Sequence, residues 1–247
     1  MTPLAMGLLG SGEFDPWAEE VDRWLLDRAA AGDGRVLILP TASAPDGDEV
    51  FEMWSEKGMA HYERQGIPAE VLPLKTRKDA DRADLTAKLD DASMVFFSGG
   101  NPAYLAATLV NTGFWRALLA GMDRGLAYAG CSAGVACLPD LAPDSGITSL
   151  DEAVWRPGLG FFHEVIFMPH WNALDSFMPG LTDFVIASVP PGSRLFAIEE
   201  NTAAVGDGYE WSVLGVGKVR LLRDGGWREF YAGQSFTEHL MGGVPGA

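Results

Sequence analysis

The sequence predicts an α/β protein in which a mainly parallel sheet is covered by helices on both faces and an antiparallel extension follows at the C-terminal end. Three observations carry this expectation. Short, almost wholly apolar runs recur along the first half of the chain, as strands buried on both faces require. Amphipathic segments of helical period separate them, which is the rhythm of a parallel sheet with crossover helices. Late in the chain, strand-like segments follow one another directly around an Asp-Gly-Gly turn, a hairpin signature.

Taken in order, Ala5 to Leu9, Val36 to Pro40, Glu70 to Leu74, Met94 to Ser98 and Leu126 to Ala129 read as buried strands. Between them, Trp17 to Ala30 sets Val21, Trp24, Leu25 and Arg28 at helical spacing, and Glu49 to Gln65, Asp84 to Leu89, Tyr104 to Asn111 and Phe114 to Arg124 behave in the same way. Val135 to Leu138 reads as a further helix that Pro139 stops. The run Glu164 to Met168 and the segment Leu195 to Ile198 are later strands, and Ala203 to Gly206, Glu210 to Gly215, Lys218 to Arg223 and Trp227 to Ala232 have the look of antiparallel strands with Asp224-Gly225-Gly226 as a turn. A chain of 247 residues with 47% apolar composition suffices for one full core, so one domain over 1–247 is expected.

Charge narrows the function. Acidic side chains outnumber basic ones 34 to 18, for a formal charge of −16, and such a field repels phosphate backbones and anionic membrane surfaces. Neither nucleic acid nor membrane is an expected partner. No stretch approaches the roughly 20 apolar residues that span a bilayer, and after Met1-Thr2-Pro3 the apolar run Leu4 to Leu9 is stopped by glycines short of a signal peptide's core. The two cysteines, Cys131 and Cys137, fall in one short stretch and make neither a disulfide framework nor a zinc spacing. A cytoplasmic location is therefore expected, with no metal or cofactor.

The strand Leu126 to Ala129 runs without a gap into Gly130-Cys131-Ser132-Ala133-Gly134 and then into a helix. Strand, elbow and helix in that order are what a nucleophile elbow requires: a sharp turn strains the central residue and lifts its hydroxyl to the carboxyl edge of the sheet. The same residues could form a plain small-residue junction. Cys131 competes for the nucleophile's role, because thiolates attack carbonyls readily, but Gly130 and Gly134 are symmetric about Ser132, so Cys131 is expected to point inward. Cys137 reads as a small core residue.

A second glycine loop, Ser98-Gly99-Gly100-Asn101-Pro102, also joins a strand to a helix, with Asn101 as N-cap and Pro102 at the first helical position. Read functionally, amides of Gly99 and Gly100 supply one arm of an oxyanion hole and the amide of Ala133 the other. Gly10-Ser11-Gly12-Glu13 follows the first strand too, but Asp15 stands where a dinucleotide fingerprint needs its third glycine.

A serine hydroxyl needs a base, and the four histidines are His61, His163, His170 and His239. His61, among Met59, Tyr62 and Glu63, reads as a partly exposed surface histidine, and His239, near the glycine-rich tail, as peripheral. His163 and His170 bracket a strand, and His170 at its carboxyl end is favoured. A carboxylate that orients the imidazole should come from another strand end, and Leu195 to Ile198 ends in Glu199-Glu200. Adjacent acids on a strand face opposite ways. The pattern leaves the two equal.

These residues, with Gly10-Ser11-Gly12-Glu13, Ser98-Gly99-Gly100-Asn101, Gly130-Cys131-Ser132-Ala133-Gly134, Met168-Pro169-His170 and Ile198-Glu199-Glu200-Asn201-Thr202-Ala203 in one order, resemble the dipeptidase E and cyanophycinase family of serine peptidases, relatives of the class I glutamine amidotransferases. The resemblance implies a three-layer sandwich of amidotransferase type with an added C-terminal hairpin. It also implies Ser132 as nucleophile, His170 as base, Glu200 as acidic partner, and Gly100 and Ala133 as oxyanion donors. The implied partner is a small peptide, and a homodimer is allowed. By the same resemblance, the substrate is an aspartyl dipeptide or the β-aspartyl-arginine of cyanophycin; Gly-Gly-Asn-Pro looks more like the dipeptidase branch than the Gly-Gly-Asp-Gln of cyanophycinases. An aspartate pocket needs a cation, for which Lys75, Arg77, Arg116 and Arg156 are candidates. Two rivals stand beside this reading: an esterase of the α/β-hydrolase kind, which would draw on His239 with Asp207 or Asp224, and a binding module without a working triad.

Overall fold

The computed structural model of the chain describes residues 4–146, 149–150 and 154–240. Strand β1 (Met6–Leu9), helix α1 (Glu19–Leu26), β2 (Arg35–Leu39), α2 (Asp48–Gln65), β3 (Ala69–Val71), α3 (Ala83–Ala87), β4 (Ala92–Phe97), α4 (Pro102–Leu109), α5 (Gly113–Asp123), β5 (Ala127–Cys131) and α6 (Ala133–Ala136) make the first half. There follow β6 (Leu141–Pro143), β7 (Trp155–Pro157), β8 (Val165–Met168), α7 (Leu174–Phe177), α8 (Leu181–Ser188), β9 (Arg194–Ile198), β10 (Thr202–Gly206), β11 (Glu210–Gly215), β12 (Lys218–Arg223), β13 (Gly226–Tyr231) and β14 (Ser235–Thr237).

Among the described residues the main sheet has eight strands in the order β14-β11-β10-β1-β5-β4-β2-β3. Neighbours from β1 to β3 are parallel, and β10, β11 and β14 continue the sheet antiparallel. Because side chains alternate across a strand, the apolar runs divide between two cores. Leu8, Leu37, Leu39, Val95 and Phe97 pack with Leu105, Leu109, Phe114 and Leu118 of α4 and α5 on one face. Leu9, Val36, Ile38, Met94 and Phe96 pack with Val21, Leu25 and Tyr62 of α1 and α2 on the other. Two helix layers around one sheet is the sandwich expected.

The elements differ from expectation where proline and backbone geometry intervene. The third strand stops at Val71, ahead of Pro73, which cannot donate to a ladder. The hairpin turn is Asp224-Gly225 alone, since Arg223 pairs with Gly226; both turn residues have positive φ, 51° and 77°, as a two-residue hairpin favours. The larger difference lies in β8 and β9, which do not join the main sheet. They pair parallel with each other, and with β12 and β13 they form a second, four-stranded sheet. One face of it, with Val165, Phe167, Phe196 and Ile198, is buried in the main core, while Ile166, Met168, Leu195 and Ala197 meet Leu174 and Val185 from the α7–α8 segment.

Candidate active site

Ser132 follows β5 directly and adopts φ 51°, ψ −105°, a conformation that costs a non-glycine residue about 1–3 kcal/mol and must be held by its surroundings. The holding contacts are visible. The Ser132 amide donates to Leu9 O at 3.0 Å, and its carbonyl accepts from the amides of Val135 and Ala136, both at 3.0 Å. The Tyr128 hydroxyl donates to Gly134 O at 2.6 Å. The flanking glycines are there for close approach: a Cβ on Gly130 would lie 2.3 Å from Gly134 O, and one on Gly134 would lie 2.5 Å from Phe97 O.

His170 follows β8 through Pro169, with φ 54°. Its Nε2 lies 3.0 Å from Ser132 Oγ, and its Nδ1 lies 2.9 Å from Glu200 Oε1 at the end of β9. An ionised carboxylate only accepts hydrogen bonds, so Nδ1 carries the proton and Nε2 is left to accept from the serine hydroxyl. Packing sets the adjacent acids in different surroundings. Glu199 turns the other way and accepts from the Lys218 amide at 3.2 Å and from Arg220 Nη2 at 3.1 Å. Glu200 is held by its backbone, its amide donating to Asn172 Oδ1 at 2.8 Å and its carbonyl accepting from Thr202 Oγ1 at 3.0 Å.

The second glycine loop behaves as its sequence implies at Asn101, whose Oδ1 accepts from the Tyr104 amide at 3.0 Å and caps α4. Its two glycines are not equivalent. The Gly99 amide donates to buried Glu13 Oε1 at 2.8 Å, and is thereby occupied. The amides of Gly100 and Ala133 have no hydrogen-bond partner among the described residues. Gly100 has φ 140°, and a Cβ there would lie 2.3 Å from the carbonyl of Ala42, so no other residue fits. Glu13 Oε2 also accepts from Cys131 Sγ at 2.9 Å. Burial, with the Glu13 charge adding to it, pushes the Cys131 thiol well above its usual range, which leaves it protonated and turned inward.

The other histidines stand apart. His61 is fully buried, contrary to the surface position expected of it: it lies on the inner face of α2 with Phe51, Ser55, Gly58 and Tyr62, and its Nε2 is 2.6 Å from buried Asp22 Oδ2 of α1. His163 is exposed beside Asp140 at 2.9 Å. His239 is exposed with its ring 5.1 Å from that of Tyr209. Asp207 caps its own turn through the amides of Tyr209 and Glu210, and Asp224 occupies the β12–β13 hairpin.

A cavity of about 370 Å³ opens beside the serine and is lined in part by Gly100, Ser132 and His170. A larger cleft of about 570 Å³ lies between α1 and the β11–β14 edge, toward the amino end of β1 and away from this chemistry. Of the candidate cations, Lys75 pairs with Asp48 at 2.7 Å, Arg77 donates to Ala107 O and Arg116 to Asn111 O. Arg156 alone approaches the cavity, through Asp144 of its wall at 3.2 Å. Three contributors escaped sequence reasoning: Glu13, Asn172 and Tyr128. Glu13 had a signal, since it ends a glycine loop after β1 as Ser98-Gly99-Gly100 follows β4; Asn172, two residues past His170, and Tyr128, a strand residue, carried none.

An α/β sandwich that brings a serine, a histidine and a carboxylate into hydrogen-bonded order at strand carboxyl ends has the make-up of a serine hydrolase. The family model of peptidase family S51 matches residues 6–214, and the chain belongs to that family. Cyanophycinases of Trichormus variabilis and of a Nostoc species are each 28% identical to it over 230 residues, which covers 90% of this chain and 74% of theirs. An uncharacterised peptidase of Listeria monocytogenes is 26% identical over 171 residues, 68% of this chain and 80% of that one. The crystal structure of a peptidase from an acI-B1 actinobacterium superposes with a TM-score of 0.85 at 30% identity, covering 96% of this chain and 97% of the other. The protein is thus a peptidase. Among the described residues no helix is long and apolar enough to cross a membrane.

Proposed function

We propose that this peptidase hydrolyses short peptides through an acyl-enzyme on Ser132, with His170 as base, Glu200 as its orienting carboxylate, and the amides of Gly100 and Ala133 as oxyanion donors. The observation that carries the reading is the unbroken chain from Ser132 Oγ through His170 Nε2 and Nδ1 to Glu200 Oε1, at 3.0 and 2.9 Å. Nε2 takes the hydroxyl proton as Oγ attacks the peptide carbonyl, and Glu200 stabilises the imidazolium that results. The developing oxyanion is received by the two amides that lack partners, and each such donor is worth about 10²–10³ in rate. The imidazolium then protonates the departing amine as the C–N bond breaks. Water, deprotonated by the same nitrogen, hydrolyses the ester and frees Ser132.

The substrate is read less finely than the family likeness suggests. Aspartyl dipeptides and β-aspartyl-arginine both present a carboxylate or its amide near the scissile bond, yet no Lys or Arg is among the described residues lining the cavity, and Arg156 is engaged by Asp144. Short peptides are what the site supports, and aspartyl dipeptides and cyanophycin belong in the assay.

A fluorophosphonate is expected to label the protein at Ser132 and to abolish turnover, with Ser132→Ala unlabelled and inactive. Labelling elsewhere, or full peptide hydrolysis by Ser132→Ala, would refute the assignment.

A further inference from the structure

We infer that the cavity beside Ser132 is a subsite for an apolar side chain, so that the peptidase selects substrates with a bulky aliphatic or aromatic residue flanking the scissile bond in preference to aspartate. This rests on the serine-peptidase reading above and adds the substrate class to it. The cavity is continuous with the reacting groups, because Ser132, His170 and Gly100 are part of its wall. The remainder is drawn from several separate segments, with Pro102 of α4, Val154, Met168 of β8, and Leu174, Phe177 and Leu181 of the α7–α8 segment. At about 370 Å³ it stands at the small end of ligand pockets, which run about 300–1,000 Å³, and has room for one large side chain with its backbone.

Phe177 marks the mouth. Its ring meets that of His170 edge to face, with centroids 5.4 Å apart and planes at 84°, and the residue is 62% exposed. As part of the cavity lining beside the imidazole, this ring offers apolar area that a substrate side chain would cover.

Charge points the same way. Among the described residues the wall holds one carboxylate, Asp144, and no Lys or Arg, and Asp144 is already satisfied. Its Oδ1 accepts from Asn101 Nδ2 at 3.2 Å and from the Gly146 amide at 3.0 Å, and its Oδ2 pairs with Arg156 at 3.2 Å. An aspartyl substrate would therefore bring a second carboxylate beside the first and lose its hydration without a cation to replace it. A leucyl or phenylalanyl side chain would lose only unfavourable contact with water.

The test is kcat/KM of the full chain on two matched dipeptide series, Leu-Ala, Phe-Ala, Asp-Ala and Arg-Ala, then Ala-Leu, Ala-Phe, Ala-Asp and Ala-Arg, alongside fluorophosphonate labelling. In one series the leucyl or phenylalanyl peptide should exceed the aspartyl one by at least roughly tenfold, since even a single methylene in an apolar pocket is worth about 10–200-fold. Leu181→Arg, at a half-buried position from which the guanidinium can reach water, is expected to narrow or invert that ratio. Phe177→Ser, at an exposed position that tolerates polar residues, should narrow it as well and serves if the first variant does not fold. An aspartyl or arginyl preference in both series, or ratios unmoved by both variants, overturns the subsite while labelling at Ser132 leaves the serine mechanism standing. Absence of both labelling and cleavage overturns the two together.

Discussion

Among the described residues two histidine–carboxylate pairs are buried or half-buried at similar separations, and their surroundings make them different things. His61 and Asp22 are 2.6 Å apart and wholly inaccessible; His170 and Glu200 are 2.9 Å apart, with 25% and 36% of their side chains exposed. The first pair is tied into its neighbours. The Tyr62 hydroxyl donates to Asp22 Oδ1 at 3.1 Å, Gln65 Nε2 lies 2.9 Å from His61 Nε2, and Arg64 approaches His61 Nδ1 at 3.4 Å. Burial, with the Asp22 charge adding to it, holds the Tyr62 phenol well above its usual range, so no nucleophile forms there. In the second pair the free ring nitrogen faces a serine hydroxyl and a cavity. A histidine beside an acid is thus a cross-link between α1 and α2 in one place and part of the proposed catalytic site in the other.

The largest expected effect separates the two. His170→Ala, like Ser132→Ala, should lower kcat by about 10⁴-fold or more, and the double variant little further, because such groups act as a unit. Thermal unfolding should hardly change. His61→Ala should do the reverse, costing about 3–5 kcal/mol of stability by stranding a buried acid while kcat per folded molecule stays within a few-fold. If His61→Ala removes activity from folded protein, the distinction collapses.

The adjacent glutamates sharpen it. Glu200→Gln leaves size intact but offers the imidazole the wrong partner, and kcat is expected to fall by about 10²–10⁴-fold. Glu199→Gln weakens an ion pair with Arg220 and should cost about 1 kcal/mol in stability with kcat almost unchanged. Equal kinetic losses from both, measured under saturating peptide, would mean that the acidic role is shared.

Glu13 bridges the Gly99 amide and the Cys131 thiol, and its expected role is to position the glycine loop. Glu13→Ala should lower kcat up to about 100-fold through misplacement of the neighbouring Gly100 amide, with KM little altered, and Glu13→Gln, which keeps an acceptor, should recover part of the loss. A pure KM effect would speak for a different role.

The smallest effect is expected from thiol reagents. With its pKa raised by burial, Cys131 has less thiolate at pH 8 than a free cysteine, and Cys137 is likewise buried and raised. Iodoacetamide should leave activity intact. Inactivation that peptide substrate protects against would put Cys131 in the chemistry after all.

Much of this was legible in the residues. The apolar runs of β1, β2, β4 and β5 could bury both faces only within a covered sheet, and Gly130 and Gly134 announced an elbow around Ser132. What the pattern concealed was decided by tertiary packing. Nothing in Glu199-Glu200 says which acid reaches His170 until Arg220 of β12 claims the first. Nothing in Met59 to Glu63 says that His61 is interior, because its compensating acid lies 39 positions earlier in the chain. The assignment of β8 and β9 to a second sheet was equally hidden, since parallel buried strands read alike in whichever sheet they pair.

That second sheet bears on the history of each molecule as well as its shape. Ser132 ends a strand of the main sheet, whereas His170 and Glu200 end neighbouring strands of the smaller one, which is itself completed only by β12 and β13. If Ser132 and His170 act as proposed, a growing polypeptide carries the serine before its base, and an unassisted hydroxyl is a feeble reagent toward amides. On the proposed mechanism, the site is complete only after β12 and β13 have been made and the two sheets share a core.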